Sequence, residues 1–406
     1  MDEQEAITKA QALLNRPGDA NVSPLAVYRH AAKADSVQQR RPNVVLIMME
    51  SMSAKFMKHF GQSETLTPFL DSLYTRSISF RNFYSAGIHT NHGLYATLYS
   101  FPAMMKRNLM KGSVIPRYSG LPTVLKENGY YNLFFMTHEG QYDNMNAFFR
   151  TNGYDEVFSQ EDYPADKVVN SFGVQDDFLY DYAIPVLNQR AATGQPFFAT
   201  LLSISNHPPY VIPPFFHPKT SEPETQIVEY ADWALRQFFE EARKQPWFDN
   251  TIFVLEGDHG KLVGDAECEL PESYNHIPLM IYSSRIQPEE KTTFGGQVDI
   301  QPTILGLLNI DYLQNNFGVD LLKEERPCMF YTADNMVVGR NDTLLYLYNY
   351  ETQQELTYDI GNGKLNAVPM DDSFLPLKEY SFSMLQSAEF LVKHGKTLNS
   401  IPFTQQ

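Results

Sequence analysis

Apolar runs of strand length recur along the chain, at Val44–Met49, Leu133–Met136, Phe197–Ser203 and Ile252–Leu255, and each is followed by a longer connection with helical stretches. That rhythm predicts an α/β fold with a mostly parallel, mixed central sheet and helices on both faces. Ile300–Leu308 predicts a short apolar helix, after which the character changes. Met329–Tyr331, Thr343–Tyr348 and Leu356–Asp359 read as short strands, with turns at Arg340-Asn341-Asp342 and Gly361-Asn362-Gly363. Residues 372–394 then set Leu375, Leu377, Tyr380, Met384, Leu385, Ala388 and Leu391 near a 3.6-residue period, which predicts one long amphipathic helix. The pattern divides the chain into residues 1–41, a short helix and a polar linker carrying Pro17-Gly18-Asp19 and Gln38-Gln39-Arg40-Arg41; residues 42–310, the main domain; and residues 311–406, a small α+β subdomain packed on the main sheet.

The apolar runs share a second property: each ends in polar residues that no core requires. Val44–Met49 ends in Glu50-Ser51, Leu133–Met136 in Thr137-His138-Glu139, the third run in Asn206-His207, and Ile252–Leu255 in Glu256-Gly257-Asp258-His259-Gly260. The carboxyl ends of parallel strands line one edge of a sheet, where ligands bind. Taken singly, Glu50 has a plainer reading as a solvated loop residue or helix cap, and Thr90 as an N-cap. Together, Glu50, Asp258 and His259 offer two oxygens and one nitrogen, a set suited to Zn²⁺ or Mn²⁺ and lacking the thiolates of a structural zinc site. Thr90 lies in Gly87-Ile88-His89-Thr90-Asn91-His92-Gly93, a loop leading into a helix over Leu94–Ser100. A helix amino end favours an oxyanion, and a hydroxyl there becomes a nucleophile once a cation or base lowers its pKa.

Composition narrows the classes. Of 406 residues, 43% are hydrophobic and 13% aromatic, enough for a large core, and 32 basic against 48 acidic residues give a net charge of −16. With no basic run interleaved with aromatics, this argues against a nucleic-acid partner. Cys268 and Cys328 cannot build a zinc ribbon or a disulfide framework. No apolar stretch is long enough to span a membrane and the acidic amino end is no signal peptide, so the chain as it stands reads as soluble.

Several motifs agree, in order and context, with one family. Asn43–Met52, Thr67-Pro68-Phe69-Leu70-Asp71, Phe83–Phe101, Asn206-His207-Pro208-Pro209-Tyr210 and Gly257-Asp258-His259-Gly260 are similar to the motifs of lipoteichoic-acid-synthase-like phosphoglycerol transferases, in the sulfatase branch of the alkaline-phosphatase superfamily. The resemblance runs from about Pro42 to Leu308. It implies an alkaline-phosphatase-like fold in which Glu50, Thr90, Asp258 and His259 hold one divalent ion, Mn²⁺ foremost with Zn²⁺ or Mg²⁺ as alternatives, and Thr90 forms a phospho-threonine intermediate. His207 then contacts the phosphate or protonates a leaving alkoxide. His138 and Asn146 fall where relatives hold the head group, Asn91 flanks the nucleophile on the substrate side, and His276 has either a substrate or second-metal role or a buried, hydrogen-bonded one. His89 and His92 are not required by the family pattern; substrate contact, solvation and capping are all open to them.

Met145-Asn146-Ala147 stands where some relatives place tryptophan and arginine, a departure that bears on head-group identity. Family members carry membrane-spanning helices ahead of the catalytic domain, so the resemblance implies an extracytoplasmic domain of a membrane-anchored bacterial protein, acting on a phospholipid or glycan phosphodiester. Within the superfamily the rivals are a sulfatase, which needs cysteine or serine in a C/S-x-P-x-R context absent here, and a phosphoethanolamine transferase, which usually carries disulfides. Outside it the rival is a catalytically silent head-group-binding domain.

Overall fold

The computed structural model describes residues 1–16, 23–34, 41–112, 114–361 and 363–399; Pro17-Gly18-Asp19, Gln38-Gln39-Arg40 and the turn residue Asn362 lie outside them. In chain order, α1 (Glu3–Leu14) and β1 (Tyr28–Ala31) come first. The main domain follows with β2 (Asn43–Met49), α2 (Pro68–Tyr74), β3 (Ile78–Tyr84), α3 (Thr90–Tyr99), α4 (Leu121–Glu127), β4 (Tyr131–Met136), α5 (Met145–Thr151) and β5 (Glu156–Phe158). It continues through α6 (Asp176–Ala192), β6 (Phe197–Leu202), α7 (Pro223–Ala242), β7 (Thr251–Gly257), β8 (Leu279–Tyr282), β9 (Glu289–Gly296) and α8 (Ile300–Leu307). β10 (Tyr312–Asn315) pairs antiparallel with β1. β11 (Met329–Thr332), β12 (Met336–Arg340), β13 (Leu344–Asn349), β14 (Gln354–Gly361) and β15 (Lys364–Ala367) form an antiparallel meander, and α9 (Leu375–Lys393) packs on it.

Every residue of β2 is buried, because its two faces feed different cores. Val44, Leu46 and Met48 pack with apolar residues of α3, α4, α5 and α8, whereas Val45, Ile47 and Met49 pack with those of α2, α6 and α7. A continuous apolar run is the signature of such a doubly covered strand. The eight strands lie in the order β5-β4-β6-β2-β7-β8-β3-β9, and β8 alone among them runs antiparallel to its neighbours. The carboxyl ends of β2, β4, β6 and β7 therefore share one edge, as the polar strand ends predict.

Two departures have clear causes. β9 reads Glu-Glu-Lys-Thr-Thr-Phe-Gly-Gly and escapes an apolar search because it is an edge strand with one flank open to water. Leu375, expected on the apolar stripe of the last helix, is 46% exposed; a 3₁₀ turn over Asp372–Phe374 precedes the helix and Phe374 is buried in its place.

The main domain and the meander are joined by a buried ion pair. Arg326 donates from Nε to Asp299 Oδ2 (2.9 Å) and from Nη1 to the Tyr380 hydroxyl on α9 (2.5 Å), while Asp299, at the start of α8, also accepts from the Gly296 and Val319 amides. Removing one partner leaves the other charge buried and unpaired. Arg326→Met is expected to cost about 3–5 kcal/mol in urea unfolding, whereas Leu375→Ala, at an exposed position, is expected to stay within about 0.5 kcal/mol of the wild type.

Candidate active site

The register of β2 against β7 pairs Met48 with Glu256 and Met49 with Gly257, so Glu50 and Asp258 leave the sheet side by side. Both are buried, at 1% and 0% exposure. Ser51 turns the chain in the left-handed region (φ 50°), an uncommon conformation for serine. That turn aims its amide at Asp258 Oδ1 (2.8 Å) and its hydroxyl at Glu50 Oε1 (2.7 Å). The His259 amide adds a second bond to Asp258 Oδ1 (2.7 Å). From the end of β6, Ser203 Oγ accepts from the Glu50 amide (3.0 Å), and Asn206 Nδ2 donates to the Glu50 and Ser51 carbonyls (both 3.1 Å).

After these bonds, Asp258 Oδ2 is buried with no hydrogen-bond partner. His259 donates from Nδ1 to the Gly260 carbonyl (2.7 Å), since a carbonyl can only accept. Its Nε2 therefore presents a lone pair, 3.8 Å from Glu50 Oε1 and 3.7 Å from Asp258 Oδ2. One ligand atom from each of Glu50, Asp258 and His259 lies within 4.8 Å of the other two. Burial, and then the neighbouring Asp258 charge, pushes the Glu50 carboxyl well above the usual carboxylate range. Two carboxylates buried side by side cannot both ionise cheaply, and a divalent cation removes that conflict. The orphaned oxygen and the O,O,N donor set fit such an ion.

Thr90 is the first residue of α3, and His89 holds the N-cap position without a side-chain capping bond. The plainer reading of Thr90 as a cap does not hold: its hydroxyl instead donates to Glu50 Oε2 at 3.4 Å. The helix is set there by close contact. A Cβ on Gly93 would lie 2.3 Å from the Asp258 carbonyl oxygen, so only glycine lets α3 rest on the end of β7. Gln297 bridges the same elements, donating to the Asp258 (2.7 Å) and Gly257 (3.1 Å) carbonyls and accepting from the Ala86 amide (2.9 Å).

A cavity of about 590 Å³ opens in front of this cluster, and Glu50, His89, Thr90, Asn91, His207 and His259 are among its lining residues. Asn91 donates to Asp143 (3.4 Å) and keeps a buried, unpartnered Oδ1. His207 donates from Nδ1 to the Pro208 carbonyl (2.6 Å) and packs on Phe172, which leaves Nε2 available. His89 pairs with Asp334 of the β11–β12 turn at 2.6 Å. His92 is not solvated: it is fully buried, and burial followed by the nearby His89 lowers its pKa to about 3.

Three expected site residues are not among those lining the cavity. His138 is buried, with its ring 4.7 Å from that of Tyr142, which does line the cavity. Asn146 accepts from Arg150 Nε (2.7 Å), and its amide donates to the Gly140 carbonyl (3.0 Å). His276 reaches the same sheet edge because β8 runs antiparallel, but it donates from Nε2 to the Arg81 carbonyl (2.8 Å) and sits between the rings of Tyr84 and Phe60.

The sequence reading missed three groups. Ser51 and Asp143 both occupy left-handed backbone (φ 50° each), which no local pattern reveals at Ser51, although Asp143-Asn144 is a pair that tolerates such a turn. Lys261 lines the cavity two residues beyond His259, and burial lowers its pKa to about 8. A lysine after a loop motif ordinarily reads as solvent-facing.

Comparison with known proteins agrees with the architecture. The model of the family described as sulfatase matches residues 42–310. Lipoteichoic acid synthase 1 of Bacillus subtilis is 25% identical over 350 residues, covering 79% of this chain and 53% of that protein. Phosphoglycerol transferase I of Xanthomonas campestris pv. campestris is 26% identical over 322 residues, covering 75% of this chain and 46% of that protein. The chain thus spans about half the length of these curated relatives. A crystal structure of a protein in the alkaline phosphatase superfamily from Vibrio parahaemolyticus superposes with a TM-score of 0.84 at 26% identity, covering 97% of both chains. The fold is alkaline-phosphatase-like.

Asp258→Asn keeps the bonds to Oδ1 available while removing a ligand charge. It is expected to weaken Mn²⁺ binding, followed by isothermal calorimetry, by more than the roughly 10–100-fold typical of losing an outer partner of a ligand. Unchanged affinity would mean that the cation is held elsewhere.

Proposed function

Because this chain belongs to the sulfatase family, we propose that it is a metal-dependent phosphotransferase acting on a phosphodiester, such as the phosphoglycerol head group of a glycerophospholipid, through a covalent intermediate on Thr90. The observation that carries this reading is the Thr90 hydroxyl pointing at Glu50 from the start of α3, beside buried Asp258 and partly buried His259. The two relatives named for lipoteichoic acid synthesis and phosphoglycerol transfer support the choice of donor. A sulfatase would need a cysteine or serine at the nucleophile position, whereas Cys268 and Cys328 lie far along the chain from it.

A divalent cation, Mn²⁺ or alternatively Zn²⁺ or Mg²⁺, would be held by Glu50, Asp258, His259 and Thr90, and when bound supplies the charge that acidifies a hydroxyl and offsets a phosphoryl group. Glu50 accepts the Thr90 hydrogen bond and orients the hydroxyl. Thr90 Oγ then gives its proton to Glu50 Oε2 and bonds to phosphorus as the donor's alkoxide leaves, while the first-turn amides of α3 face the phosphoryl oxygens. His207, as the imidazolium with its Nδ1–H fixed on the Pro208 carbonyl, gives the leaving alkoxide a proton from Nε2. In the second half, His207 takes the proton of an acceptor hydroxyl, whose oxygen bonds to phosphorus and releases Thr90, which regains its proton from Glu50.

Asn91, with its free Oδ1, receives a head-group hydroxyl. On this reading His138 acts through Tyr142, which lines the cavity, and Asn146 and His276 act through the Gly140 and Tyr84 segments they contact. Among the described residues no helix is long and apolar enough to cross a membrane. The donor class sets the reaction at the outer face of a bacterial cell membrane, with anchoring supplied from beyond the catalytic unit.

The test is to assay release of phosphoglycerol, phosphoethanolamine or sulfate from the matching model substrates. Release of phosphoglycerol is expected, and a protein that only binds head groups would release none. Thr90→Ala is expected to lose about 10³-fold or more in turnover while still binding Mn²⁺; full activity in that variant would overturn the assignment.

A further inference from the structure

Lys261 lines the cavity that contains Thr90 and His207, yet nothing in the reaction above uses it. Its ammonium is held by two neutral acceptors, Asn206 Oδ1 (2.5 Å) and the Tyr210 hydroxyl (3.1 Å). It also lies 4.7 Å from the Tyr210 ring centre and 5.3 Å from that of Phe56. Asn206 has no freedom to turn away, because its Nδ2 is spent on the Glu50 and Ser51 carbonyls, so Oδ1 must face the lysine. The same asparagine thus fixes the ammonium to the backbone that bears Glu50.

An ammonium carries three donors, and the third has no acceptor among the described residues. No carboxylate among them lies within ion-pair distance of it either. Of the cavity's acids, Glu50 and Asp258 offset a divalent ion, Asp143 is paired with Lys111 at 2.7 Å, and Glu224 attracts Lys261 only from an exposed position at the mouth, where water screens it. One fixed positive charge is left over. A half-buried cation with an idle donor, and no anion of its own, lacks one negatively charged oxygen.

We propose that Lys261 is the anion anchor of this cavity, its ammonium binding a non-bridging oxygen of the substrate's phosphoryl group, and that the single surplus charge selects a monoanionic diester over a dianionic monoester. The inference rests on the phosphotransferase reading and adds to it the residue that recognises the ester's charge. Asn206 is then a positioning residue, acting through Lys261. Nothing in the sequence around position 261 marks this, since the grip comes from a turn more than fifty residues earlier.

The experiment uses the Mn²⁺-loaded protein with bis(p-nitrophenyl) phosphate as diester and p-nitrophenyl phosphate as monoester, and compares Lys261→Met, Lys261→Gln and Lys261→Arg. Met and Gln are expected to lower kcat/KM for the diester by roughly 100-fold, the scale of losing one donor to a developing oxyanion, and to narrow the preference for diester over monoester. Arg is expected to restore most of the loss. Calorimetry in the Thr90→Ala background gives a readout free of turnover: adding Lys261→Met is expected to weaken diester binding tenfold or more, with Mn²⁺ affinity unchanged. Diester binding and turnover within twofold of the parent would overturn the anchor while leaving the role of Thr90 standing. Loss of Mn²⁺ from both the Met and the Gln variants would assign the lysine to the cation site and likewise overturn it. If the wild type turns over neither ester, the phosphotransferase reading fails, and diester binding in the Thr90→Ala pair still decides the lysine.

Discussion

Parallel pairing of β2 with β7 brings Glu50 and Asp258 to the same height at the sheet edge, and both carboxylates end up shielded from water. Like charges so placed repel each other strongly in a medium of low effective dielectric, and neither can relax by swinging into solvent. Around this conflict the neighbouring residues make sense. Ser51 accepts a left-handed backbone to bond both acids, Ser203 and Asn206 pin the Glu50 backbone from the next strand, and the His259 tautomer turns a lone pair inward. The result is a rigid arrangement whose remaining electrostatic need is a cation.

The carboxyl-terminal meander contributes to the same end from outside the sheet. Asp334, in its first turn, grips His89 at the N-cap of α3, and Thr332 at the end of β11 donates its amide to the Ala86 carbonyl (2.9 Å). The segment leading to Thr90 is therefore bonded on one side to the meander and on the other to Gln297, just ahead of α8. With Arg326 joining Asp299 to α9, the small subdomain works as a brace on the segment that bears Thr90.

What the sequence discloses and what it hides follow from how local each feature is. Strands covered on both faces write continuous apolar runs, so β2, β4, β6 and β7 and the polar groups at their ends are legible, and with them Glu50, Asp258 and His259. β9 sits at the sheet margin with a polar first half, and β3 carries Arg81 and Asn82 among its aromatics, so neither leaves such a trace. The apolar stripe locates α9 but assigns Leu375 to the wrong side, because a 3₁₀ turn changes the phase at the helix start. Strand direction could not be read from the residues around His276, and once β8 reverses, that histidine is brought to the site edge but bonded to the Arg81 carbonyl. Lys261 and Ser51 depend on partners distant in the chain or on a backbone angle, neither of which is encoded in nearby residue types.

The contact between Gly93 and the Asp258 carbonyl couples two parts that a reaction scheme treats as separate. Because the helix bearing the hydroxyl rests directly on the strand bearing the acid, with backbone against backbone and no side chain to yield, there is no intermediate step by which one could drift while the other stays. Laboratory evolution of this scaffold should therefore find its freedom in the far wall of the cavity, around Tyr142 and Glu224, where side chains line the space and can be exchanged one at a time.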